Sequence, residues 1–311
     1  MICTITLNPS VDIRYEMDRF LPDQVNRVNR VSKTAGGKGL NVARVLRQLG
    51  EDVAASGFLG GSLGHFIRSE LSRLGIHNGF VSIKGNTRNC IAIIHEGKQT
   101  EILESGPLVS KSESDQFLKW FSEFVPLVKV VTLSGSLPKG LAKDYYGKLI
   151  ETANGIPVLL DTNGELLKST LAKANKPFLI KPNQDELADL LGGKPEKEEQ
   201  IINALKAEIF AGIPWVVVTL GADGAIVKHG HACYRARMPR VDVKNPVGSG
   251  DSVLAGFAAG FARGLVEEKL VRFGLAMGVL NAMEEKTGYI NTGKLTWCMQ
   301  QMIVENLTMT I

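Results

Sequence analysis

Short apolar runs alternate with amphipathic segments along most of the chain. The runs rich in β-branched and aliphatic residues predict buried strands at Cys3–Leu7, Val53–Phe58, Val128–Ser134, Val158–Asp161, Phe178–Lys181, Trp215–Thr219 and Gly224–Lys228. The segments with apolar residues at helical spacing predict helices at Gly39–Leu49, Gly64–Leu74, Glu113–Phe124, Lys143–Ala153, Asn183–Leu191, Glu196–Ala211 and Asp251–Arg263. Because strands alternate with helices, we expect an α/β fold in which helices cover both faces of a largely parallel sheet.

Two regions interrupt this alternation, residues 11–34 and residues 83–106. The second places strand-like segments on either side of Gly97, which predicts a hairpin that turns near this glycine. β segments inserted into an α/β body are typical of a small lid that excludes water from a reaction. An ordinary edge hairpin is the alternative interpretation.

The composition is that of a soluble globular protein. The chain has 311 residues, of which 44% are hydrophobic and 22% charged, values typical of a protein with a well-filled core. A chain of this length can form one large domain or two. No Pro-rich or Ser-rich linker, low-complexity tract or internal repeat marks a boundary, so we predict a single domain over residues 1–311.

Charge and cysteine usage narrow the functional classes. The formal net charge is only +4, and the absence of long Lys and Arg runs argues against a nucleic-acid partner. The four cysteines form no C-x-x-C pair, so neither a disulfide framework nor a zinc site is indicated. The first residues lack the features of a secretory signal, and no apolar run is long enough to span a membrane. We therefore expect a cytoplasmic protein without a membrane partner.

A glycine corner precedes the most apolar of the predicted helices. Within Asn245–Ser252, Gly248 and Gly250 flank Ser249 and allow backbone N–H groups to converge at a helix N-terminus, which favours a bound anion. Asp251 lies in this corner, where its carboxylate could accept the proton of a hydroxyl that attacks the anion. The corner therefore suggests phosphoryl transfer. The alternative is that Asp251 only caps the helix, since Asp is a favoured N-cap residue.

A second glycine cluster, Ala35–Arg44, also precedes an amphipathic helix. Gly37 permits close approach of the backbone to a ligand, Lys38 supplies a positive charge, and Asn41 supplies hydrogen-bond donors and acceptors. A pocket for a polyhydroxylated anionic molecule needs these groups. Taken alone, the cluster is equally consistent with a simple turn before a helix.

The segment Lys181–Glu186 follows a predicted strand and opens a helix. Asn183 and Glu186 are three residues apart and share one helical face. Facing a polyphosphate, this pair could hold the water shell of Mg²⁺, which takes few direct protein ligands. The alternative is a capping box at the helix start, and the two roles are compatible.

Three further features are ambiguous by themselves. The segment Thr219–Ala225 is typical of a hairpin with glycines at its turn, and it could also line a nucleotide pocket. Arg88 and Arg27 lie in the two β insertions, and Arg suits bidentate recognition of phosphate, although most surface Arg side chains are only solvated. Asp12 follows the first strand, where it could bind sugar hydroxyls or cap a loop.

With these pieces in order, the chain resembles the PfkB family of ribokinase-like carbohydrate kinases from end to end. Gly36–Asn41 looks like the N-terminal signature of that family, and Asn245–Ser252 looks like its C-terminal signature. Two signatures in the right order are far more specific than either one. The resemblance implies a ribokinase-like three-layer α/β/α domain, with a central, mostly parallel sheet and a small β lid formed by the insertions at about 11–34 and 83–106.

The resemblance also implies roles for the residues at the matching positions. Asp251 would be the catalytic base, with Gly248, Ser249 and Gly250 as the anion hole for the transferred group. The sugar phosphate would be bound by Asp12, Arg27, Gly37, Lys38, Asn41 and Arg88. ATP would be bound by Lys181, Asn183, Thr219, Gly221, Gly224 and Asn281. Asn183 and Glu186 would organise Mg²⁺ through water.

Within the family, the chain is most similar to the branch that contains tagatose-6-phosphate kinase and 1-phosphofructokinase. The opening Thr6–Asp12 is shared by this branch, and Thr87–Gly97 and Ser134–Gly140 look more like tagatose-6-phosphate kinase. The resemblance implies ATP-dependent phosphorylation of D-tagatose 6-phosphate to the 1,6-bisphosphate, in lactose and galactose catabolism, by a homodimer paired through the lid. Phosphorylation of fructose 1-phosphate is the alternative activity. A sugar-phosphate-binding regulator without catalysis is the alternative from another class.

Overall fold

The computed structural model describes residues 1–28 and 30–308. Its strands are β1 (Ile2–Thr6), β2 (Ser10–Glu16), β3 (Arg30–Gly36), β4 (Val53–Leu59), β5 (His77–Asn78), β6 (Val81–Ser82), β7 (Arg88–His95), β8 (Lys98–Leu103), β9 (Val130–Ser134), β10 (Val158–Asp161), β11 (Leu179–Ile180), β12 (Trp215–Thr219), β13 (Ala225–His229), β14 (Ala232–Arg237) and β15 (Ile303–Thr308). Its α-helices are α1 (Lys38–Gln48), α2 (Gly61–Arg73), α3 (Lys111–Phe124), α4 (Tyr145–Ala153), α5 (Gly164–Leu171), α6 (Gln184–Leu191), α7 (Glu198–Ala204), α8 (Ser249–Ala262), α9 (Glu267–Ala282) and α10 (Leu295–Gln301).

The larger sheet has the strand order β15, β14, β13, β12, β11, β10, β9, β1, β4, β5, and β6 also pairs with β4. The pairs from β12 through β5 are parallel, whereas β13, β14 and β15 extend one edge in antiparallel fashion. A parallel arrangement requires crossover connections, which the helices supply. The predicted mostly parallel α/β sheet is confirmed.

Each face of this sheet is covered by its own apolar core. Successive strand residues point to opposite faces, so Val130 and Leu159 pack with α1, α2, α8, α9 and α10, whereas Val131 and Leu160 pack with α3 to α7. The central strands are buried on both sides and consist of nearly continuous apolar residues. The three-layer α/β/α arrangement follows from this double burial.

The lid is a separate four-stranded sheet with the order β3, β2, β7, β8. Its two central strands, β2 and β7, are parallel, and the outer strands pair with them in antiparallel fashion. The predicted hairpin is present: Glu96 and Gly97 join β7 to β8 with φ values of 49° and 68°, the twist that tight hairpins need. Asn29 of the first predicted insertion, and residues 309–311 of the predicted single domain, lie outside the described residues.

Several elements depart from the sequence pattern. The strands β14 and β15 and the helices α5 and α9 were not predicted. From Leu270 to Asn281, nearly all of α9 is buried, so the helix lacks the polar face on which a periodicity argument depends. The predicted helix Glu196–Ala211 is wrong in extent, because α7 ends at Ala204 and extended backbone at Ala207 (ψ 147°) separates it from a short 3₁₀ turn.

None of the helices in the described part of the chain has the length and apolarity needed to span a bilayer.

Candidate active site

A cleft of about 1540 Å³ lies between the lid and the carboxyl edge of the larger sheet. The loops that follow successive parallel strands supply one wall of this cleft, with Asn8 after β1, Ser136 after β9, Asn163 after β10 and Asn183 after β11. In open α/β sheets, ligands bind in the crevice outside the carboxyl ends of the strands. The cleft therefore occupies the position at which this type of sheet holds its substrates.

Most of the residues predicted for the site line this one cleft. The lining residues among them are Asp12, Gly37, Lys38, Asn41, Arg88, Lys181, Asn183, Glu186, Thr219, Gly221, Gly224, Gly248, Ser249, Gly250 and Asp251. Arg27 and Asn281 do not line it. Residues that are far apart in the chain thus converge at the end of the sheet where the lid begins.

The glycine corner starts α8 in a conformation that only glycine adopts without strain. Gly248 is the N-cap residue with a φ of 82°, and it makes no side-chain cap. A β-carbon at this position would also lie 2.5 Å from Cγ2 of Thr287. Asp251 therefore does not cap the helix, and the capping interpretation of this residue is wrong. Its carboxylate instead accepts a hydrogen bond from Asn41.

Asn281 braces this corner from behind. Its side chain is fully buried, its Nδ2 donates to the carbonyl of Val247 at 3.0 Å, and its Oδ1 accepts from the backbone N–H of Gly288 at 2.8 Å. Both ends of the amide are thus occupied by the backbone on either side of the corner. The side chain predicted to bind ATP therefore lies behind the cleft wall, where it holds the two backbone segments together.

Asp251 is a buried carboxylate whose pKa is raised. It is only 6% exposed, and Nδ2 of Asn41 donates to its Oδ2 at 2.8 Å. Burial, and then the negative charge of Asp161, raise the pKa of Asp251 to about 6, against the opposing effects of Lys38, Lys181 and the hydrogen bond. A general base works best when its pKa lies near the operating pH. Asp251 is therefore ionised at neutral pH, yet is a stronger base than an ordinary carboxylate.

Two lysines converge on a buried carboxylate beside the corner. Asp161, at the end of β10, lies 3.3 Å from Nζ of Lys38 through Oδ1 and 3.3 Å from Nζ of Lys181 through Oδ2. Burial alone would raise the pKa of Asp161, but the two ammonium groups outweigh it and keep the pKa below its usual value. Lys181 also reaches α8, since its Nζ lies 3.2 Å from where a β-carbon on Gly250 would be. Two ammonium groups thus lie close to this helix N-terminus, where they and the helix dipole can face a polyphosphate.

Asn183 and Glu186 form the predicted capping box at the start of α6. Glu186 N donates to Oδ1 of Asn183 at 2.8 Å, and Asn183 N donates to Oε2 of Glu186 at 2.9 Å. The other carboxylate oxygen of Glu186 lies 4.0 Å from Nζ of Lys38, and burial followed by the charge of Asp161 raises the pKa of Glu186. One oxygen of Glu186 therefore completes the cap, while the other faces the charged floor of the cleft.

The predicted hairpin at Thr219–Ala225 is also confirmed, and it lines the cleft as well. It joins β12 to the antiparallel strand β13 through a 3₁₀ turn that begins at Gly221. Gly224 has a φ of 100°, and a β-carbon there would lie 2.0 Å from the carbonyl oxygen of Ala236. This glycine permits close packing against β14, which fixes the loop at the cleft margin. The hairpin and nucleotide-pocket interpretations are thus compatible.

The lid supplies Asp12 at the other end of the cleft. Ser10 Oγ donates to Oδ1 of Asp12 at 2.7 Å, and burial raises the pKa of this carboxyl against the effects of Ser10, Arg44 and Arg88. Gly36 faces the same carboxylate, and a β-carbon on it would lie 2.0 Å from Oδ1. The absence of a side chain at Gly36 therefore makes room for Asp12.

Arg88 is fixed at the base of the lid with one of its three guanidinium nitrogens left without a partner. Its Nη1 donates to the carbonyl of Glu104 at 3.0 Å and its Nη2 to the carbonyl of Asn8 at 3.3 Å, whereas its buried Nε has no hydrogen-bond partner among the described residues. Arg27, by contrast, is exposed on the loop between β2 and β3. The two arginines predicted to bind phosphate thus occupy very different positions.

Unpaired polar atoms concentrate in this cleft. Seven buried side-chain polar atoms in the described part of the chain lack a hydrogen-bond partner, although two of them, Arg14 Nε and Asp161 Oδ2, are held in ion pairs with Glu16 and Lys181. Of the other five, all but Thr132 Oγ1 belong to cleft-lining residues, namely Thr6, Asn8, Arg88 and Ser134. Buried polar groups are nearly always paired in native proteins. This concentration is expected of a site that is completed by a polar ligand with many hydroxyl or phosphate oxygens.

Two important residues were not singled out by the sequence. Asp161 looks like the ordinary end of an apolar strand, although a carboxylate at the carboxyl end of a parallel strand is itself a signal. Arg44 looks like one more polar residue of an amphipathic helix, yet it is only 5% exposed and donates to Oδ1 of Asn41 at 2.9 Å. Nothing in the local pattern distinguishes a buried arginine from an exposed one.

A cleft with a glycine corner, a buried carboxylate and a lid is the arrangement expected of an α/β phosphotransferase. The model of the pfkB family carbohydrate kinases matches residues 4–292. The chain belongs to this family, as its two signatures indicated, and it is a carbohydrate kinase.

Individual relatives agree with this assignment. Over 98% of this chain and 99% of its own length, a tagatose-6-phosphate kinase of Staphylococcus epidermidis is 48% identical to the chain. A solved structure of a possible 1-phosphofructokinase from Thermotoga maritima superposes with a TM-score of 0.89 at 25% identity, covering 98% of this chain and 99% of that one. The tetrameric inhibited form of phosphofructokinase-2 from Escherichia coli superposes with a TM-score of 0.87 at 27% identity, covering 96% and 98%.

Proposed function

We propose that this carbohydrate kinase transfers the γ-phosphoryl group of ATP to the C1 hydroxyl of D-tagatose 6-phosphate, giving D-tagatose 1,6-bisphosphate and ADP. The observation that carries the reaction type is the buried Asp251 beside the glycine corner, because this arrangement supplies a base and an anion site together. The sugar is supported by the 48% identity to a tagatose-6-phosphate kinase.

The chain's own groups suit the transfer step. Asp251 accepts the proton of the attacking hydroxyl while the new bond from oxygen to the γ-phosphorus forms and the bond to the leaving ADP oxygen breaks. The backbone N–H of Gly250, in the first turn of α8, faces the charge that develops on the phosphoryl oxygens, whereas the N–H of Ser249 donates to the carbonyl of Pro246 at 3.2 Å. The hydrogen bond from Asn41 holds the base in a single orientation.

The charged floor of the cleft suits the polyphosphate and its metal ion. Lys38 and Lys181 provide cations, and Glu186 keeps one oxygen that its cap does not use. In the described part of the chain, no group of three or more His, Cys, Asp or Glu side chains could hold a metal ion by itself. This fits Mg²⁺, which retains several waters and is held by few carboxylates together with substrate phosphates. Glu186, with Asn183, would hold Mg²⁺, which would neutralise phosphate charge.

The lid end suits the sugar phosphate. The unpaired Nε of Arg88 offers a charge-assisted donor to the phosphate that the sugar already carries. Asp12 and Asn41 offer acceptors and donors to the sugar hydroxyls. The polar atoms of Thr6, Asn8 and Ser134 that lack partners are available for the same purpose.

Fructose 1-phosphate is the second candidate substrate, supported by the likeness to the Thermotoga maritima protein. Tagatose and fructose differ at a single stereocentre, and these two substrates also carry the phosphate at opposite ends of the sugar, so both the hydroxyl contacts and the position of the bound phosphate distinguish them. A binding protein without catalysis is disfavoured, because sugar binding alone does not require a buried carboxylate with a pKa of about 6.

The deciding experiment is an ADP-release assay with ATP and Mg²⁺ over four acceptors: D-tagatose 6-phosphate, fructose 1-phosphate, fructose 6-phosphate and unphosphorylated tagatose. We expect the highest kcat/KM with tagatose 6-phosphate and the lowest with the unphosphorylated sugar. A preference for fructose 1-phosphate would replace the proposed sugar, and equal use of the unphosphorylated sugar would contradict the role of Arg88. A turnover that persists without Mg²⁺, in excess chelator, would contradict the metal requirement.

The lid also suits a homodimer in the cytoplasm, where ATP is available. Strand β8 is the outer strand of the lid sheet and is exposed along its length. Its apolar side chains Ile102 and Leu103 are 50% and 61% exposed. Sedimentation of the wild type as a dimer and of Ile102→Lys as a monomer would support lid pairing. Leu127→Lys, at an apolar site outside the lid that is even more exposed, is the matched control, and a wild-type monomer would contradict the proposal.

A further inference from the structure

Arg44 carries a buried positive charge and has no part in the transfer step proposed above. It lies on α1, is 5% exposed, and donates through Nη1 to Oδ1 of Asn41 at 2.9 Å and to the carbonyl of Thr287 at 3.1 Å. Its Nη2 donates to the carbonyl of Ala35. A buried guanidinium is costly unless it is well bonded, and here its partners come from three separate segments.

The contact with Asn41 determines which way that amide faces. An arginine can only donate hydrogen bonds, so Oδ1 of Asn41 must face Arg44 and Nδ2 must face the opposite direction. In that direction lies Asp251, whose Oδ2 accepts from Nδ2 at 2.8 Å. With the amide reversed, an oxygen would face the carboxylate, and the hydrogen bond would be replaced by repulsion.

The other two contacts of Arg44 join the lid to the anion corner. Ala35 lies near the end of β3, where the lid returns to the body of the protein. Thr287 packs against Gly248 at the corner. The next residue, Gly288, leaves space for the guanidinium, because a β-carbon there would lie 2.6 Å from Nη1 of Arg44.

We propose that Arg44 is a positioning residue for phosphoryl transfer, which fixes the Asn41 amide so that it orients Asp251 and which ties the end of the lid to the loop behind the glycine corner. The inference rests on the proposed function through the role of Asp251 as base. Arg44 itself does not line the cleft, so it acts through Asn41.

Two substitutions separate orientation from charge. Arg44→Lys keeps the positive charge, but a compact ammonium group does not reproduce the planar fork that serves Asn41, Thr287 and Ala35 together. Arg44→Met removes both the charge and the fork. Arg47→Met is the matched control, because Arg47 lies on the same helix and donates to the carbonyls of Glu51 and Leu74, outside the cleft.

The pH profile gives the readout that a merely structural role would not change. Besides Asn41, the groups that act most strongly on Asp251 are Asp161, Lys38 and Lys181, and all three remain in the variants. Arg44 and Asp251 also attract each other, so Arg44→Lys, which keeps the charge, isolates the effect of orientation. The charged or titratable groups that act on Arg44 are Tyr289, Asp12, Glu70 and Asp251. We expect Arg44→Lys to lower kcat about tenfold or more, in the range that misplacement of reacting groups causes, and to move the acid limb of kcat/KM, which reports the free enzyme, upward from about pH 6.

A double variant tests whether Arg44 acts through Asn41. In an Asn41→Ala background, Arg44→Lys should lower kcat no further, because the amide that it positions is already absent. Additive losses would overturn the inference, as would an unchanged kcat and acid limb in Arg44→Lys. Arg47→Met should keep the wild-type profile, and the same upward shift in that control would also overturn the inference.

A direct titration keeps this test independent of turnover. The ¹³C resonance of the Asp251 carboxyl, assigned with Asp251→Asn, reports its pKa in the wild type and in Arg44→Lys. We expect a higher pKa in the variant, since the donor from Asn41 is lost, and an unchanged pKa would overturn the inference. If the wild type turned over no ketohexose phosphate, the proposed function would fail, and this titration would still decide the role of Arg44. Should Arg44→Met fail to fold, the lysine variant alone carries the test.

Discussion

The two ends of the cleft are built in different ways. At the corner, Asp251 and Asn281 are almost completely buried and held by hydrogen bonds from Asn41 and to the backbone. At the lid, Asp12 and Arg88 lie on a four-stranded sheet whose outer strand β8 is exposed, and Arg27 is on an exposed loop. The corner is part of the protein core, whereas the lid projects from it.

We expect this structural difference to separate the residues of the transfer step from those that select the sugar. A preorganised anion site and base lose little energy to rearrangement during the reaction, so their rigid placement supports catalysis. A lid has to admit the sugar and then exclude water, so its residues belong to the less constrained part of the molecule. We therefore expect substitutions at the corner to change kcat and substitutions in the lid to change KM for the sugar phosphate.

The largest expected effect is at the corner. Asp251→Asn should lower kcat by about 10²–10⁴-fold, the usual contribution of a general base, because an amide cannot accept the hydroxyl proton. Calorimetry should show that sugar-phosphate binding is retained. Asp115→Asn, an exposed carboxylate on α3 outside the cleft, is the control and should retain wild-type kcat. If Asp251→Asn retained wild-type kcat, Asp251 would not be the base, and the expected contrast between the corner and the lid would be contradicted.

The next effect is at the lid. Arg88→Met should raise KM for the sugar phosphate by roughly 10-fold to 100-fold, the effect of losing a hydrogen bond to a charged group of about 1.5–3 kcal/mol, with a smaller change in kcat. Steady-state kinetics with the sugar phosphate varied at saturating ATP would measure both. Arg68→Met, another arginine bonded to a backbone carbonyl but outside the cleft, should leave both constants unchanged. If Arg88→Met lowered kcat and left KM unchanged, Arg88 would act in the transfer step, as the corner is expected to, and not in binding of the sugar phosphate.

The smallest effect is a pH dependence of the corner. Asp251 has a raised pKa of about 6, so the ionised base is present above this pH and is lost as the pH falls through it. We expect kcat/KM for the sugar phosphate, which reports the pKa values of the free enzyme, to fall about tenfold for each pH unit below 6, one proton being gained by one group, and to level off above 7. The residual activity of Asp251→Asn should lack this limb, and a limb that persisted there would assign it to another group.

The sequence correctly predicted features whose conformation depends on residues close together in the chain. Gly248 adopts the positive φ that its glycine-rich segment suggested, the capping box at Asn183 is formed, and the hairpin at Gly97 has the expected turn. Each of these features is decided within a few residues. For the same reason, the pattern could not show that Gly248, instead of Asp251, caps α8, because the side chain of Asp251 is drawn away by a residue from another helix.

Long-range contacts account for what the sequence left open. Asn41 and Asp251 are 210 residues apart, and they meet because the sheet order brings the start of α1 beside the start of α8. Asp161 became part of the site only because Lys38 and Lys181 converge on it. Arg44 became informative only once its burial and its three partners were known.

The sequence alone determined the α/β class, the glycine corner, the lid insertions and membership of the pfkB family, because periodicity and short motifs depend on local backbone geometry. The tertiary structure decided which groups face one another, and with that the acidity of Asp251, the charged floor around Asp161 and the bracing by Asn281 and Arg44. Acidity and orientation depend on burial and on nearby charge, and packing of distant segments sets both.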